Sequence, residues 1–562
     1  MNKKIFHLFI QFNILFIVLI VLLISCDDED TDNVSPSITK SPDIVLDPNG
    51  NTPLAALLTL ETNEQTRVSV QVDVIGGVEV NKATVSGDDT SFLIDFDNFD
   101  KSHSLPILGL SPDSSHSIEV TVFDKSGNAT VIENILEVET GPLPDNFPPI
   151  EVTSKPNMME PGVTIFTLTG RGGNGSAIYI IAVDETGRVV WYFEPDAPVS
   201  DMRRLSNGNL LFIQGAPTIL EVDMLGNTVN QWFTSHTTST NESAIPVDAL
   251  AFHHEVFEME NGNFLVLDLE LRQVENYPTS ETDPEAASEN ANVVGDVIME
   301  FNRDGEIENS YSMLDMLDPL RIGYLSLASF YDFIFPAAPG GTRDWTHGNA
   351  VIHDPSDDSI IVSLRHQDAV VKFSRSTGDL IWILGPHENW DQAEFGPYLL
   401  DPTGENFRFQ YHQHAPMVTT SGNILLFDNG NFRASPFDEK LPATENFSRA
   451  VEYSLNQETM EVEQVWEYGE FINEPIYAPF LCDADQMPAT GNVLITFGGI
   501  TENELGEPVD SGGGAKVSVR ILEVTHTDNP EIVFDLSIVD ESEIVANGWI
   551  TYRSERLPGL YP

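Results

Sequence analysis

With 41% hydrophobic and 9% aromatic side chains, a chain of 562 residues has material for two to four ordinary domains with a substantial buried core, which excludes a disordered polypeptide. Its 88 acidic against 27 basic residues give a formal net charge of −61, a field that repels nucleic acid and anionic membrane surfaces. We read the excess as solvated surface suited to a salty medium, so an anionic substrate requires a local cationic pocket and any Arg or His placed against that field is informative.

At the N-terminus, Lys3 and Lys4 precede an apolar run that stops at Cys26 and the acidic DDED, the layout of a signal peptide over residues 1–26. Residues 23–26, LISC, resemble a bacterial lipobox, which makes Cys26 the lipidation site of an exported lipoprotein, periplasmic or anchored to an outer membrane and open to surface display. Membrane contact is then through the lipid anchor only. An uncleaved transmembrane anchor is the alternative, since the run approaches the roughly 20 residues that span a bilayer. With Cys26 lipidated only Cys482 remains, so no intrachain disulfide is expected. Residues 27–40 read as a flexible acidic tether.

From 41 to 143, short alternating runs such as RVSVQVDV (67–74), SFLIDFDN (91–98) and HSIEVTVFD (116–124) are separated by turn residues, which predicts a small N-terminal β-sandwich. Four prolines within GPLPDNFPPI (141–150) mark a boundary. Beyond it the sequence repeats. One element is a turn and strand: NGNLLFI (207–213), NGNFLVL (261–267), DDSIIVS (357–363), SGNILLF (421–427) and TGNVLIT (490–496). The other is a strand pair across a tight turn, as in AVDETGRVVWYF (182–193), EVDMLGNTVNQWF (221–233) and EFNRDGEIENSY (300–311). Further copies follow at 372–384, 452–466 and 523–534. Six copies predict an all-β fold in which residues 144–562 form a six-bladed β-propeller. The insertions 313–345 and 386–409 are expected on one rim, building the site. The only helical pattern is SMLDMLDPL (312–320).

Eight of the 13 histidines fall between 253 and 414, in the groups FHHEV (His253, His254), DWTHGN (His347, Asn349), SLRHQ (Arg365, His366) and YHQHA (His412, His414). Each group sits near the start of a repeat element, so a propeller would bring them to one channel mouth. Alternation along an extended strand would put His412 and His414 on one face, and His347 with Asn349 on another. Such pairs can chelate a metal, and His254, His347 and His414 could make a zinc set. No HExxH helix, cysteine cluster or EF-hand loop accompanies them. We therefore expect no metal and no cofactor. Nucleophilic chemistry fits better: a neutral imidazole attacks a sulfuryl or phosphoryl centre, and a guanidinium such as Arg365 matches two of its oxygens.

The stretch DWTHGNAVIHDPSDDSIIVSLRHQDAVVKFSRSTGDLIWILG (344–385) is similar to the bacterial arylsulfate sulfotransferase family, as are HQHAP with the following LFDNG (426–430). The sandwich segments PLAALLTLETNEQTRVSV (53–70) and HSLPILGLSPDSSH (103–116) resemble that family's smaller domain. The resemblance implies a six-bladed propeller and a ping-pong transfer from an aryl sulfate donor to a phenol acceptor through a sulfurylated histidine, independent of phosphoadenylyl sulfate. It assigns His414 as the nucleophile, His347, Asn349 and Arg365 as holding the sulfuryl oxygens, and His254 as a further pocket residue in preference to His253. Either His254 or His347 would supply the leaving-group proton. His366 and His412 enter as neighbours of the substrate, His412 as a partner of the nucleophile or simply a strand residue. A homodimer is implied as well. Two alternatives stay open: an aryl sulfate hydrolase on the same scaffold, and a non-enzymatic surface-binding propeller.

Overall fold

A computed structural model describes residues 33–75, 78–80, 83–85, 91–172, 177–510, 514–540 and 544–562. Cys26, the apolar run before it and residues 27–32 lie outside the described residues. The first strand, Ile38–Leu46, begins inside the segment read as tether, because Ile38 pairs with Thr62 and Ser37 is bonded to Asn63.

The N-terminal domain is organised by one twenty-residue strand, Ala56–Ile75, whose strict alternation buries Leu58, Leu60, Val68, Val70 and Val72. It pairs at its start with Ile38–Leu46, at its end with Ser115–Phe123, and along both halves with Phe92–Ile107. The apolar face of this sheet shares one core with Ile150, Phe166, Tyr179 and Trp549 of the following domain. Polar bonds fix the contact: the side chains of Asn49 and Thr52 donate to the carbonyl of Leu225 (2.7 and 3.1 Å), and the backbone of Leu108 donates to the Tyr561 hydroxyl (2.7 Å).

Among the described residues, six further sheets of four or five strands follow in chain order. Their first strands, Val199–Arg204, His253–Glu258, Gly348–Asp354, His414–Val418 and Asp483–Gln486, lie side by side, and the ring is completed by Ser554–Leu557. That last strand returns from the C-terminus to pair with Val163–Gly170 of the first sheet, while Glu151–Ser154 pairs with Ile532–Ile538 of the last. The propeller is thus stitched at both ends by backbone hydrogen bonds. Cys482 is a free, buried thiol.

The repeat has a local cause. Asp184, Asp223 and Asn302 each accept the backbone N–H groups two and four residues on (2.9–3.0 Å), and the glycine three residues on has φ between 81° and 85°. This Asx-type turn joins the two outer strands of a sheet. A second device crosses between sheets. Buried Glu221 accepts from Asn207 and Asn209 of its own sheet and from Arg303 of the next (3.0 Å), and Glu300 accepts from Asn263 and from Arg375 (2.8 Å). The fourth sheet reverses the charges, with Lys372 donating to Asp354 at 2.8 Å.

The pattern at 312–320 yields a single turn, Met313–Met316, capped by Ser312; Pro319 disfavours its continuation through Asp318. The insertion 313–345 does reach the channel mouth. The insertion 386–409 instead supplies Asp401–Thr403, parallel to the outer strand Glu461–Tyr468, and lines none of the cavity described below.

Candidate active site

The first strands enter the ring through backbone bulges. His254 (φ 61°), His347 (φ 47°), His412 (φ 53°) and Asp201 (φ 43°) all have left-handed backbone, which for a residue bearing a Cβ persists only where its surroundings enforce it. Here the enforcement is polar. Asp201 accepts the N–H of Val256 (2.9 Å), Glu255 that of Val351 (2.9 Å), and Asp296 that of Gly348 (2.7 Å), so each strand is pinned by a carboxylate from its neighbour. His347 and His412 precede the strands rather than lying in them. The expected same-face pairing of His412 with His414 and of His347 with Asn349 therefore does not apply, since it presumed extended backbone.

Five imidazoles form a continuous row. The Nδ1 atoms of His253 and His254 are 2.8 Å apart, His254 meets His347 edge to face at 4.9 Å, and His347 stacks on His366 at 4.6 Å. His366 in turn lies 5.9 Å from His412. His414 sits beside this row, close enough that its charge and that of Arg365 bear on His254.

Hydrogen bonds assign the free nitrogens. His414 Nδ1 donates to Asn429 Oδ1 (2.6 Å), while Asn429 Nδ2 donates to the carbonyls of Ala478 (2.8 Å) and Leu481 (3.1 Å). With its N–H committed, the neutral ring carries its lone pair on Nε2. His347 Nδ1 donates to the Asp344 carboxylate (2.6 Å). His366 Nδ1 donates to the Asp344 carbonyl (2.8 Å) and its Nε2 accepts from Arg365 Nη1 (2.9 Å). Arg365 Nη2 is held by the carbonyl of Pro479 (3.1 Å). Asn349 is fully buried and donates to the carbonyl of Gln413, the residue before His414 (2.8 Å), so in this structure its amide N–H supports that backbone. His412 is fully buried; its Nδ1 lies 3.0 Å from Asp368 and its Nε2 bonds the carbonyl of Tyr324. The turn carrying Arg365 and His366 is also backed by Gly323, where a Cβ would fall 1.6 Å from the His366 carbonyl.

Burial dominates the electrostatics. It holds His254, His366 and His414 well below the ordinary histidine range, with the neighbouring cations acting in the same direction, and takes His253 down to about 3. Burial also lowers Arg365, to about 10, which leaves it a cation at neutral pH. His253, His254, His366 and His414 are therefore held neutral beside the permanent positive charge of Arg365.

A cavity of about 320 Å³ opens beside His253 and His254, walled mainly by Phe252, Leu269, Phe330, Tyr331, Leu481 and Tyr552. Phe330 and Phe333 stand exposed at its edge, and Phe330 also touches the His347 ring at 5.2 Å. The ring thus places a polar, histidine-rich floor next to an aromatic chamber suited to a flat apolar ligand. Asp344, His347 and His366 also bring ligand atoms within 4.8 Å of one another, close enough for a metal ion, although both imidazole Nδ1 atoms already bond to Asp344.

Several contributors were not singled out from sequence. Asp344, Glu255 and Asn429 lie within the quoted motifs DWTHGN, FHHEV and LFDNG but carried no role there. Tyr331 and Tyr552 gave no signal, since Tyr331 sits in the aromatic run FYDF (330–333) inside an insertion and Tyr552 in a bend, and neither belongs to a repeat or a quoted motif.

Comparison with known proteins identifies the family. The family profile described as Arylsulfotransferase (ASST) matches residues 151–549, and that described as Arylsulfotransferase Ig-like domain matches residues 43–141. The chain is 24% identical over 556 residues to the arylsulfate sulfotransferase AssT of Escherichia coli O6:H1, covering 83% of this chain and 86% of that protein. It is 24% identical over 550 residues to AssT of Lelliottia amnigena, with the same coverage. Among solved structures, the β-propeller domain of Cps50 (Swd1) from Myceliophteria thermophila overlays at a TM-score of 0.28 and 9% identity, covering 70% of this chain and all of that one.

Proposed function

The chain belongs to the arylsulfotransferase family, and on that premise we propose that it transfers a sulfuryl group from an aryl sulfate to a phenol in two half-reactions through sulfurylated His414. The observation that carries this reading is the bond from His414 Nδ1 to Asn429, which leaves Nε2 of a neutral imidazole as the nucleophilic atom.

In the first half-reaction His414 Nε2 forms a bond to sulfur as the bond from sulfur to the aryl oxygen breaks, and the electron pair stays on that oxygen. Arg365 offsets the negative charge of the sulfuryl oxygens. The proton for the departing phenolate comes from His347, because the Asp344 carboxylate on its Nδ1 stabilises an imidazolium. His254, held neutral by burial and sharing a proton with His253, is suited to holding the substrate instead. In the second half-reaction an incoming phenol gives its proton back to His347 and attacks sulfur, freeing His414. Throughout, Asn429 accepts from Nδ1 and so supports the positive charge of the sulfurylated ring.

The test is product analysis with an aryl sulfate in the presence and absence of added phenol. Sulfated phenol formed at the expense of inorganic sulfate is expected. Inorganic sulfate alone, in amounts indifferent to phenol, would make the enzyme a hydrolase.

We further propose that the enzyme is exported and tethered through Cys26. Among the described residues no helix is long and apolar enough to cross a membrane.

A further inference from the structure

Tyr331 belongs to the short 3₁₀ turn Phe330–Phe333 inside the insertion 313–345. Asp332 pins that turn by accepting the N–H and the hydroxyl of Thr342 (both 2.7 Å), and Thr342–Asp344 runs as a strand along Glu289–Phe301. The loop that carries Tyr331 is therefore anchored through the same short strand that ends in Asp344, the partner of His347. The Tyr331 ring lies 6.0 Å from His347 and 5.9 Å from His253 and forms part of the cavity wall next to His254.

Its hydroxyl is buried, only 3% of the residue is exposed, and it has no hydrogen-bond partner among the described residues. A buried hydroxyl without a partner destabilises the fold, so its presence at the rim of a reactive cluster calls for a ligand atom. Burial and the nearby carboxylates Asp344 and Asp296 push its ionisation well above the usual tyrosine range, which keeps it a donor. On the reaction proposed above, the polar atom that acquires charge beside His347 is the aryl oxygen.

We propose that Tyr331 is a further catalytic residue, whose hydroxyl donates a hydrogen bond to the aryl oxygen as the sulfur–oxygen bond breaks and, in the return direction, to the same oxygen of the acceptor. This rests on the sulfotransferase reading above. No proton leaves the tyrosine: the electron pair released to the aryl oxygen is stabilised by the O–H dipole and then neutralised by the proton on His347. Tyr552, whose ring lies 6.2 Å from His254, has on the cavity wall a second buried hydroxyl without a partner among the described residues and serves as the internal comparison.

The experiment compares kcat/KM of the wild-type chain, Tyr331→Phe and Tyr552→Phe on 4-nitrophenyl, phenyl and 4-methylphenyl sulfate, with the thermal midpoint of each protein. For Tyr331→Phe the loss should grow with the basicity of the leaving phenolate, from a few-fold on the nitrophenyl donor to roughly tenfold to a hundredfold on the methylphenyl donor. Its midpoint should be unchanged or higher, because only an unpartnered hydroxyl is removed. An equal loss on all three donors, a lowered midpoint, or a graded loss confined to Tyr552→Phe would overturn the proposal while leaving the transferase intact. A wild-type protein inactive on every donor would instead defeat the reading beneath it, and the proposal with it.

Discussion

Asn429 decides which nitrogen of His414 is available: its Oδ1 lies 2.6 Å from His414 Nδ1, and its own amide is fixed by the carbonyls of Ala478 and Leu481. A neutral imidazole in water distributes its proton between two nitrogens, whereas this one is committed. Asn429→Leu should lower kcat by about tenfold or more, the approximate value of losing one preorganised hydrogen bond at a group that becomes charged. Asn429→Asp is the sharper variant. A carboxylate at that position favours the imidazolium, raising the His414 pKa toward and past its ordinary range. Its activity should therefore fall as pH drops below neutrality, while the wild-type nucleophile, held neutral well below that range, stays available. Matching pH profiles for the two proteins would remove the tautomer argument.

Asp344 and His347 are assigned the proton. Asp344→Asn keeps a hydrogen-bond acceptor at Nδ1 but no longer stabilises an imidazolium, so turnover should drop by about 10²–10⁴, the usual span for a positioned acid–base group. Steady-state rates with phenol in excess will show this. Turnover by Asp344→Asn within about threefold of wild type, far short of that span, would place the proton elsewhere.

Behind the histidines the channel holds five carboxylates, Asp201, Glu255, Asp483, Asp485 and Glu555, against the guanidiniums of Arg203 and Arg553. Glu255 is kept ionised by Arg553 and Arg203. Burial raises Asp201 and Asp485 to about 6, Glu555 to about 7 and Asp483 well above its usual range. A carboxyl whose folded pKa is raised contributes stability that is complete below the unfolded value and is lost as pH rises through the folded one. The buried histidines act below about pH 6.5 and with the opposite sign, since the unfolded chain takes up protons that the fold refuses. Between about pH 6.5 and 8 only the carboxyls count, so the thermal midpoint should fall as pH rises. Asp483→Asn should flatten that fall. A midpoint that rises across this interval would contradict the assignment.

Asp344, His347 and His366 could in geometry hold an ion, yet Asp344 and His347 are assigned a proton relay and His366 is committed to Arg365 and the Asp344 carbonyl. Activity should survive exhaustive treatment with a chelator. Loss on chelation, restored by zinc, would turn the three into metal ligands and displace the relay.

What could be read from sequence was what is local. The turns at Asp184 and Asp223 repeat because a side chain and a glycine three residues apart suffice to make them, and such strand pairs fall on the outer strands of the propeller sheets. The histidine groups were visible because each lies at or beside the start of a strand. The bonds that bring the site to order join residues far apart in sequence: Glu221 to Arg303, Glu255 to Val351 across 96 positions, Asn349 to Gln413 across 64. No spacing encodes these. Left-handed backbone at His347 and His412 likewise defeated the alternation argument, because bulges are imposed by the neighbouring carboxylates and not by the residue itself. Tyr331 carries no mark in the sequence for a related reason, as what sets it apart is a hydroxyl without a partner among the described residues.

Transfer in two half-reactions requires a covalent intermediate on one nitrogen of one histidine. The direct measurement is the intact mass of the protein, quenched during turnover of an aryl sulfate without acceptor, with the modified peptide then mapped. One added sulfuryl group is expected, located on His414, discharged by phenol and absent from His414→Ala. An adduct on another residue, or rapid acceptor-dependent transfer by His414→Ala, would contradict it.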